Sequence, residues 1–148
     1  MITVLTPTYN RASLLDVLYK SLVEQCCTDF EWIVIDDGST DSTSALFEKL
    51  IRENKIHINY IKKTNGGKHT AINRGVKEAK GDIILIVDSD DSLPNDSLSL
   101  INKQYLKIKD EESIAGVCGL MAHHDGTIIG DRKISSSMNL SSIEMRYK

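Results

Sequence analysis

The sequence is poor in aromatic side chains, which make up 5 % of its 148 residues, and it contains no block of basic residues. A nucleic-acid binder works through clustered Lys and Arg and through rings on which bases stack. A net charge of −3 with the signs interspersed therefore argues against that class. No apolar run reaches the roughly 20 residues of a membrane-spanning helix, and the first residues lack the pattern of a secretory leader. Cysteine is scarce: Cys26 and Cys27 are adjacent and Cys118 stands alone. Neighbouring cysteines rarely pair with each other, and no CxxC spacing is present to hold zinc. The three read as reduced thiols of a cytosolic protein. The sequence also shows no internal repeat and no interdomain linker.

What is present is an ordinary 41 % of apolar residues, enough for one domain with a core. Ile2-Thr-Val-Leu-Thr6 is a short strand ended by Pro7. Asn10 is placed to cap a helix whose apolar stripe is Leu15, Leu18, Tyr19, Leu22 and Val23. Trp32–Ile35 is a second strand, followed by a helix with Leu46, Phe47, Leu50 and Ile51 on one face. Ile56–Ile61 alternates like a more exposed strand. After the loop Asn65-Gly66-Gly67-Lys68 comes a helix with Ile72, Gly75, Val76 and Ala79 inward and Gly81 as its stop. A fourth strand follows, then a helix with Pro94 in its first turn, a fifth strand over Ile114–Met121, and a turn before Thr127–Ile129. Strands alternating with helices predict a three-layer α/β domain with a mainly parallel sheet.

The fourth strand organises the chemistry. Ile83, Ile84, Leu85, Ile86 and Val87 do not alternate, as expected of a strand buried on both faces, and Asp88, Asp90 and Asp91 follow at once. Such a strand delivers its acids to the carboxyl edge of the sheet, where open α/β folds bind ligands. The acids read either as solvated or helix-capping groups, or as ligands of Mg²⁺ or Mn²⁺ completed by phosphate oxygens. An EF-hand is excluded, because Leu93 stands where that loop needs glycine. Asp36-Asp37-Gly38 ends the second strand in the same way. It reads as a turn with a helix cap at Ser39 or Asp41, and also as a carboxylate that accepts a ligand N–H. Gly66-Gly67-Lys68 lacks the spacing of a Walker A loop. It reads as a surface loop, or as a place for close backbone approach with Lys68 offsetting phosphate charge. His123 and His124 are adjacent in sequence and point to opposite faces of a strand, so one ion does not readily take both.

Four of these stretches together resemble the family 2 glycosyltransferases of the GT-A fold: Thr6-Pro-Thr-Tyr-Asn-Arg11, Asp36-Asp-Gly-Ser-Thr-Asp41, Asn65-Gly-Gly-Lys68 with Ala71, Asn73 and Gly75, and Gly81-Asp82 leading to Asp88-Ser-Asp-Asp91. They occur in family order and cover residues 1 to about 110. The resemblance implies a Rossmann-like GT-A nucleotide-binding sheet with helices on both faces. It also implies an inverting transferase that moves a sugar from a nucleotide-diphosphate donor, most often UDP-linked, to a glycan or lipid-linked acceptor hydroxyl. By position, Pro7, Thr8 and Tyr9 line the nucleoside site, Asp37 meets the base N–H, and Lys68 and Asn73 lie near the nucleotide. Asp88 stands toward the ribose, and Asp90 or Asp91 holds Mg²⁺ or Mn²⁺ in the DxD motif. The family's general base belongs to the acceptor half, and no residue here is assigned to it; Glu144 is the one carboxylate in the tail after Arg132.

The expectation is thus one donor-binding domain over residues 1–148, short of most of the acceptor half. The place of action is cytoplasmic, or peripheral at the inner membrane face, in cell-envelope polysaccharide synthesis. The alternative is a sugar-nucleotide-binding module without turnover. A nucleotidyltransferase needs a glycine-rich basic loop after the first strand, where this chain has proline-led Pro7-Thr-Tyr-Asn-Arg11. A phospho-accepting receiver needs its acid pair after the first strand, and here the pair follows the second.

Overall fold

Four parallel strands, β1 (Ile2–Thr8), β2 (Phe30–Asp36), β3 (Ile58–Lys62) and β4 (Ile83–Ile86), form a sheet in the order β3-β2-β1-β4. The computed structural model describes residues 1–111 with 122, 123, 127 and 129. Contacts divide the chain into two units, Met1–Lys103 and Gln104–Lys148. The expected fifth strand, Cys118, His124 and Glu144 lie outside the described residues. In the second unit, the His123 N–H donates to the Thr127 carbonyl at 2.8 Å, across the expected turn.

The first unit is a three-layer α/β arrangement. Helices α1 (Leu15–Val23), α2 (Thr43–Glu53) and the start of α4 (Ser97–Ile108) cover one face with Leu15, Leu18, Leu22, Phe47, Leu50 and Leu98 against Val4, Trp32 and Val34. On the other face, α3 (Lys68–Glu78) sets Ala71 against Leu5, Ile33 and Ile35. This is the two-periodicity of a strand: alternate residues of β1 and β2 enter different cores. Four of the few aromatics form a row on the first face. Tyr19 stacks on Trp32 at 6.2 Å, Trp32 meets Phe47 edge-on at 5.4 Å, and Phe47 stacks on Tyr60 at 4.7 Å. The buried Trp32 Nε1–H donates to Thr6 Oγ1 at 3.0 Å, as an indole excluded from water requires.

The chain runs outward from β1 to β2 and β3, and α3 then returns it to the far side of β1 for β4. The strand order therefore reverses between β1 and β4, and ligands of open α/β sheets bind beyond the carboxyl ends at such a point.

The structure corrects several expectations. Pro7 does not end β1, which continues to Thr8 with Pro7 opposite Ile35. The Leu5 carbonyl accepts from Val87 on the β4 side, and the Thr8 carbonyl accepts from Asp37 on the β2 side. Pro7 consequently turns toward β4 at a level where β4 has already ended at Ile86, and its missing N–H costs no ladder bond. Asn10 does not cap α1, whose N-cap is Leu14; it adopts a left-handed conformation with φ of 53°. Strand β4 is not buried on both faces, since Ile84 and Ile86 are 37 % and 48 % exposed. Its opposite face packs on the α1–α2 core, whereas α3 lies over β1 and β2. On α2 and α3, Ile51 and Val76 are exposed rather than inward. Pro94 precedes α4, and its carbonyl accepts from the Ser97 N–H. Helix α3 ends at Glu78 with Ala79 as its C-cap, so Gly81 is not its cap. Gly81 instead lies against β1, where an added Cβ would sit 2.5 Å from the Thr3 amide nitrogen.

Candidate functional site

At the end of β2, both acids are buried and both are engaged by the protein itself. Asp36 Oδ1 accepts the Ser39 N–H at 2.7 Å and Oδ2 accepts the Tyr60 hydroxyl. Burial, and then that carboxylate, push the Tyr60 phenol far up. Asp37 turns toward the other face of the sheet and latches the β3–α3 loop. Oδ2 accepts the Gly67 N–H at 2.7 Å, Oδ1 accepts the Gly66 N–H at 3.0 Å, and the Lys63 ammonium pairs with Oδ1. The Asn65 side-chain amide closes the latch on the Asp37 carbonyl at 2.9 Å. Burial pushes the Asp37 carboxyl up, but Lys63 and the two glycine amides outweigh it and leave its pKa lowered.

The latched loop starts α3 and brings Lys68 to the end of β4. Lys68 Nζ lies 2.6 Å from Asp88 Oδ1 and 2.8 Å from Oδ2. Two residues on, Asp90 Oδ2 holds Arg11 Nη1 of the β1–α1 loop at 3.1 Å. Asp91 is pushed up, first by burial and then by the charges of Asp88 and Asp90, so the three acids sense one another. Among the described residues, no group of three or more His, Cys, Asp or Glu is placed to hold a metal ion by itself. The donor set is instead the exposed Asp90 with the partly buried Asp91 beside it, at the carboxyl edge of the sheet. It fits a hard cation that completes its shell with phosphate oxygens, and it does not fit an all-protein cage.

The β1–α1 loop closes the ring. Asn10 Oδ1 accepts the Thr40 N–H at 2.8 Å and the Asp41 N–H at 3.3 Å, and the Asn10 N–H donates to Ser39 Oγ at 2.8 Å. Asp41 Oδ2 in turn accepts the Ala12 N–H at 3.1 Å, while its Oδ1 accepts from Thr43 at the start of α2. Each of the four loops at this rim thus touches two others: β1 with β2, β2 with β3, β3 with β4 and β4 with β1. At the centre of that edge, Thr8 is 4 % exposed and its Oγ1 is buried without a hydrogen-bond partner. A buried polar atom left unpaired in a folded chain calls for an explanation, and a ligand is one.

The sequence-derived residues fall at this rim with one exception. Pro7 and Thr8 are the last residues of β1, Tyr9 projects beside them at 47 % exposure, and Asp37, Lys68, Asp88, Asp90 and Asp91 belong to the ring. Asn73 lies further along α3 and lines a hollow of about 320 Å³ with Thr70, Arg74, Lys77 and Glu78, which includes none of the rim's aspartates. Sequence reasoning gave no role to Arg11 or Lys63. Arg11 stood in the quoted stretch after the first strand without an assignment, and Lys63 has no motif around it.

Comparison with known proteins gives the rim a context. Residues 3–143 match the family model described as glycosyl transferase family 2. The chain is 36 % identical over 109 residues to the chondroitin synthase of Pasteurella multocida, covering 74 % of this chain and 11 % of that protein. The crystal structure of Staphylococcus aureus TarS in complex with UDP-GlcNAc superposes with a TM-score of 0.68 at 34 % identity, over 73 % of this chain and 32 % of that one. A mannosyltransferase from Pyrobaculum calidifontis in complex with GDP-Man and Mn²⁺ gives 0.66 at 30 % identity, over 70 % and 32 %. The chain spans a minority of the length of each. The fold is accordingly the nucleotide-binding α/β sheet of the GT-A transferases. Among the described residues, no helix is long and apolar enough to cross a membrane.

Proposed function

The chain belongs to glycosyl transferase family 2, and from that premise we propose that its rim binds a nucleotide-diphosphate sugar, UDP-linked, for inverting transfer to an acceptor hydroxyl. The carrying observation is the closed ring of four loops at the point where the strand order reverses, with Lys68 on Asp88 and Arg11 on Asp90. The residues divide the work as their positions suggest. Pro7, Thr8 and Tyr9 face the nucleoside, and the buried Thr8 hydroxyl lacks a partner within the protein. Lys68 stands where it offsets diphosphate charge, and Asp88 meets the ribose. Asp37 already accepts three protein donors, so any base N–H it receives takes its remaining acceptor position.

Asp90, with Asp91 beside it, would hold a Mg²⁺ or Mn²⁺ ion. Bound there, the cation supplies Lewis-acid neutralisation of the charge that builds on the leaving diphosphate. The base that deprotonates the acceptor is assigned to no residue of this chain. We place the reaction in cytoplasmic synthesis of a cell-envelope glycan. The reading is supported by the similar structures that hold nucleotide sugars, TarS with UDP-GlcNAc and the mannosyltransferase with GDP-Man and Mn²⁺.

Calorimetry with UDP in the presence and absence of Mn²⁺ tests it. Metal-dependent heat that disappears in Asp90→Ala, with the circular dichroism spectrum unchanged, is the expected result. The absence of metal-dependent heat for both UDP and GDP would overturn the donor-site reading. Binding without turnover on any acceptor hydroxyl would leave a sugar-nucleotide module in its place.

A further inference from the structure

We propose that Arg11 is a counter-cation resident in the rim, which exchanges Asp90 for the donor's diphosphate when a divalent cation enters, and that Lys68 makes the same exchange from Asp88. This rests on the donor-site reading above and concerns what the site does before the donor arrives. Three acids stand at the tip of β4, and basic side chains hold two of them, each from a different loop. Arg11 Nη1 bonds the same carboxylate that is assigned to the cation, 3.1 Å from Asp90 Oδ2. Arg11 and a divalent ion therefore compete for one group.

The backbone under Arg11 is fixed. Its carbonyl accepts the Leu14 and Leu15 N–H groups at 3.0 and 3.3 Å, and Asn10 before it is clamped to Thr40 and Asp41. The guanidinium, with side-chain exposure of 47 %, is what moves. Exposed ion pairs are weak, contributing at most about fivefold to an equilibrium constant, so leaving Asp90 costs little. The planar guanidinium matches phosphate oxygens better than it matches a single carboxylate oxygen.

The consequence is synergy. Without the nucleotide, the two cations hold the acids and weaken metal binding. With it, Arg11 and Lys68 have another anion to pair with and the competition ends. Metal and nucleotide then raise each other's affinity by the same factor, as linkage requires. Charge bookkeeping agrees, because the diphosphate brings the negative charge that Arg11 and Lys68 need once Asp90 turns to the ion and Asp88 to the ribose.

The test uses the whole chain and its Arg11→Gln variant, with Mn²⁺ alone followed by UDP at saturating Mn²⁺. Free Mn²⁺ is read by electron paramagnetic resonance and UDP binding by calorimetry. Arg11→Gln is expected to bind Mn²⁺ alone about two- to fivefold more tightly and UDP about tenfold more weakly. Arg11→Lys keeps the charge; it should leave Mn²⁺ binding near wild type and restore part of the UDP affinity. Unchanged or weaker Mn²⁺ binding in Arg11→Gln overturns the exchange, as does unchanged UDP affinity. If wild type shows no Mn²⁺-dependent UDP binding, the donor-site reading fails and the exchange fails with it. Wild-type UDP binding that Arg11→Gln leaves intact overturns the exchange alone.

Discussion

The Gly67 N–H donates to Asp37 Oδ2 at 2.7 Å, so the last acid of one strand end fixes the start of a helix 30 residues further on. With Lys63 and Gly66 sharing the same buried carboxylate, this latch sets where Lys68 emerges.

Replacing Asp37 with Asn places an amide N–H₂ against these donors. A loss of about 2–4 kcal/mol is expected in urea denaturation at neutral pH, since charged buried partners lose an acceptor. The pH dependence follows from the lowered pKa. Stability that the Asp37 charge contributes is complete above its ordinary value of 3.8 and is lost as the pH falls through the lowered folded-state value. The gap between wild type and Asp37→Asn should therefore stay constant from pH 7 to about pH 5 and narrow in stronger acid.

Thr8→Val separates stability from binding. Its hydroxyl is buried without a partner, and such a group costs roughly 1–3 kcal/mol. The apo protein should gain on the order of 1 kcal/mol in thermal or chemical denaturation, while UDP affinity falls. Unaltered UDP affinity would show that the ligand does not use this hydroxyl.

Asn10 joins two loops from a left-handed backbone at φ 53°. Glycine takes that conformation without strain but loses the side-chain bonds to Thr40 and Asp41, whereas alanine loses both. Unfolding free energies from urea denaturation should rank wild type above Asn10→Gly, and Asn10→Gly above Asn10→Ala by roughly 1 kcal/mol.

Gly75 on α3 sits directly on Leu5 of β1, where an added Cβ would come within 2.1 Å of Leu5 Cδ1. Leu5 is fully buried, so Gly75→Ala overpacks the contact, and a loss of about 1–3 kcal/mol is expected. Leu5→Val in the same chain should recover part of it, and a double-mutant cycle measures the coupling.

The strand–helix alternation was legible because β1, β2 and the three helices α1–α3 are long enough to show their periods. The rim was legible because each of its acids follows an apolar strand. What escaped were features set by partners distant in sequence. Pro7 looked like a strand end, since nothing local reveals that β4 stops beside it. Asn10 looked like a helix cap, since its true acceptor role is spent on Thr40, 30 positions away. The run Ile83–Val87 looked doubly buried, because the sequence does not say that α3 lies over β1 and β2 and leaves Ile84 and Ile86 exposed. Lys63 and Arg11 acquire meaning only through the carboxylates they meet.

Proline at position 7 works as a stop on zippering. Any residue carrying an amide hydrogen there would have a donor to offer the Val87 carbonyl, one step beyond the Val87 N–H that already meets the Leu5 carbonyl. The imide offers none, and β4 ends at Ile86 while β1 runs on to Thr8. Leaving out a single hydrogen atom thus frees the tip of β1 on that side.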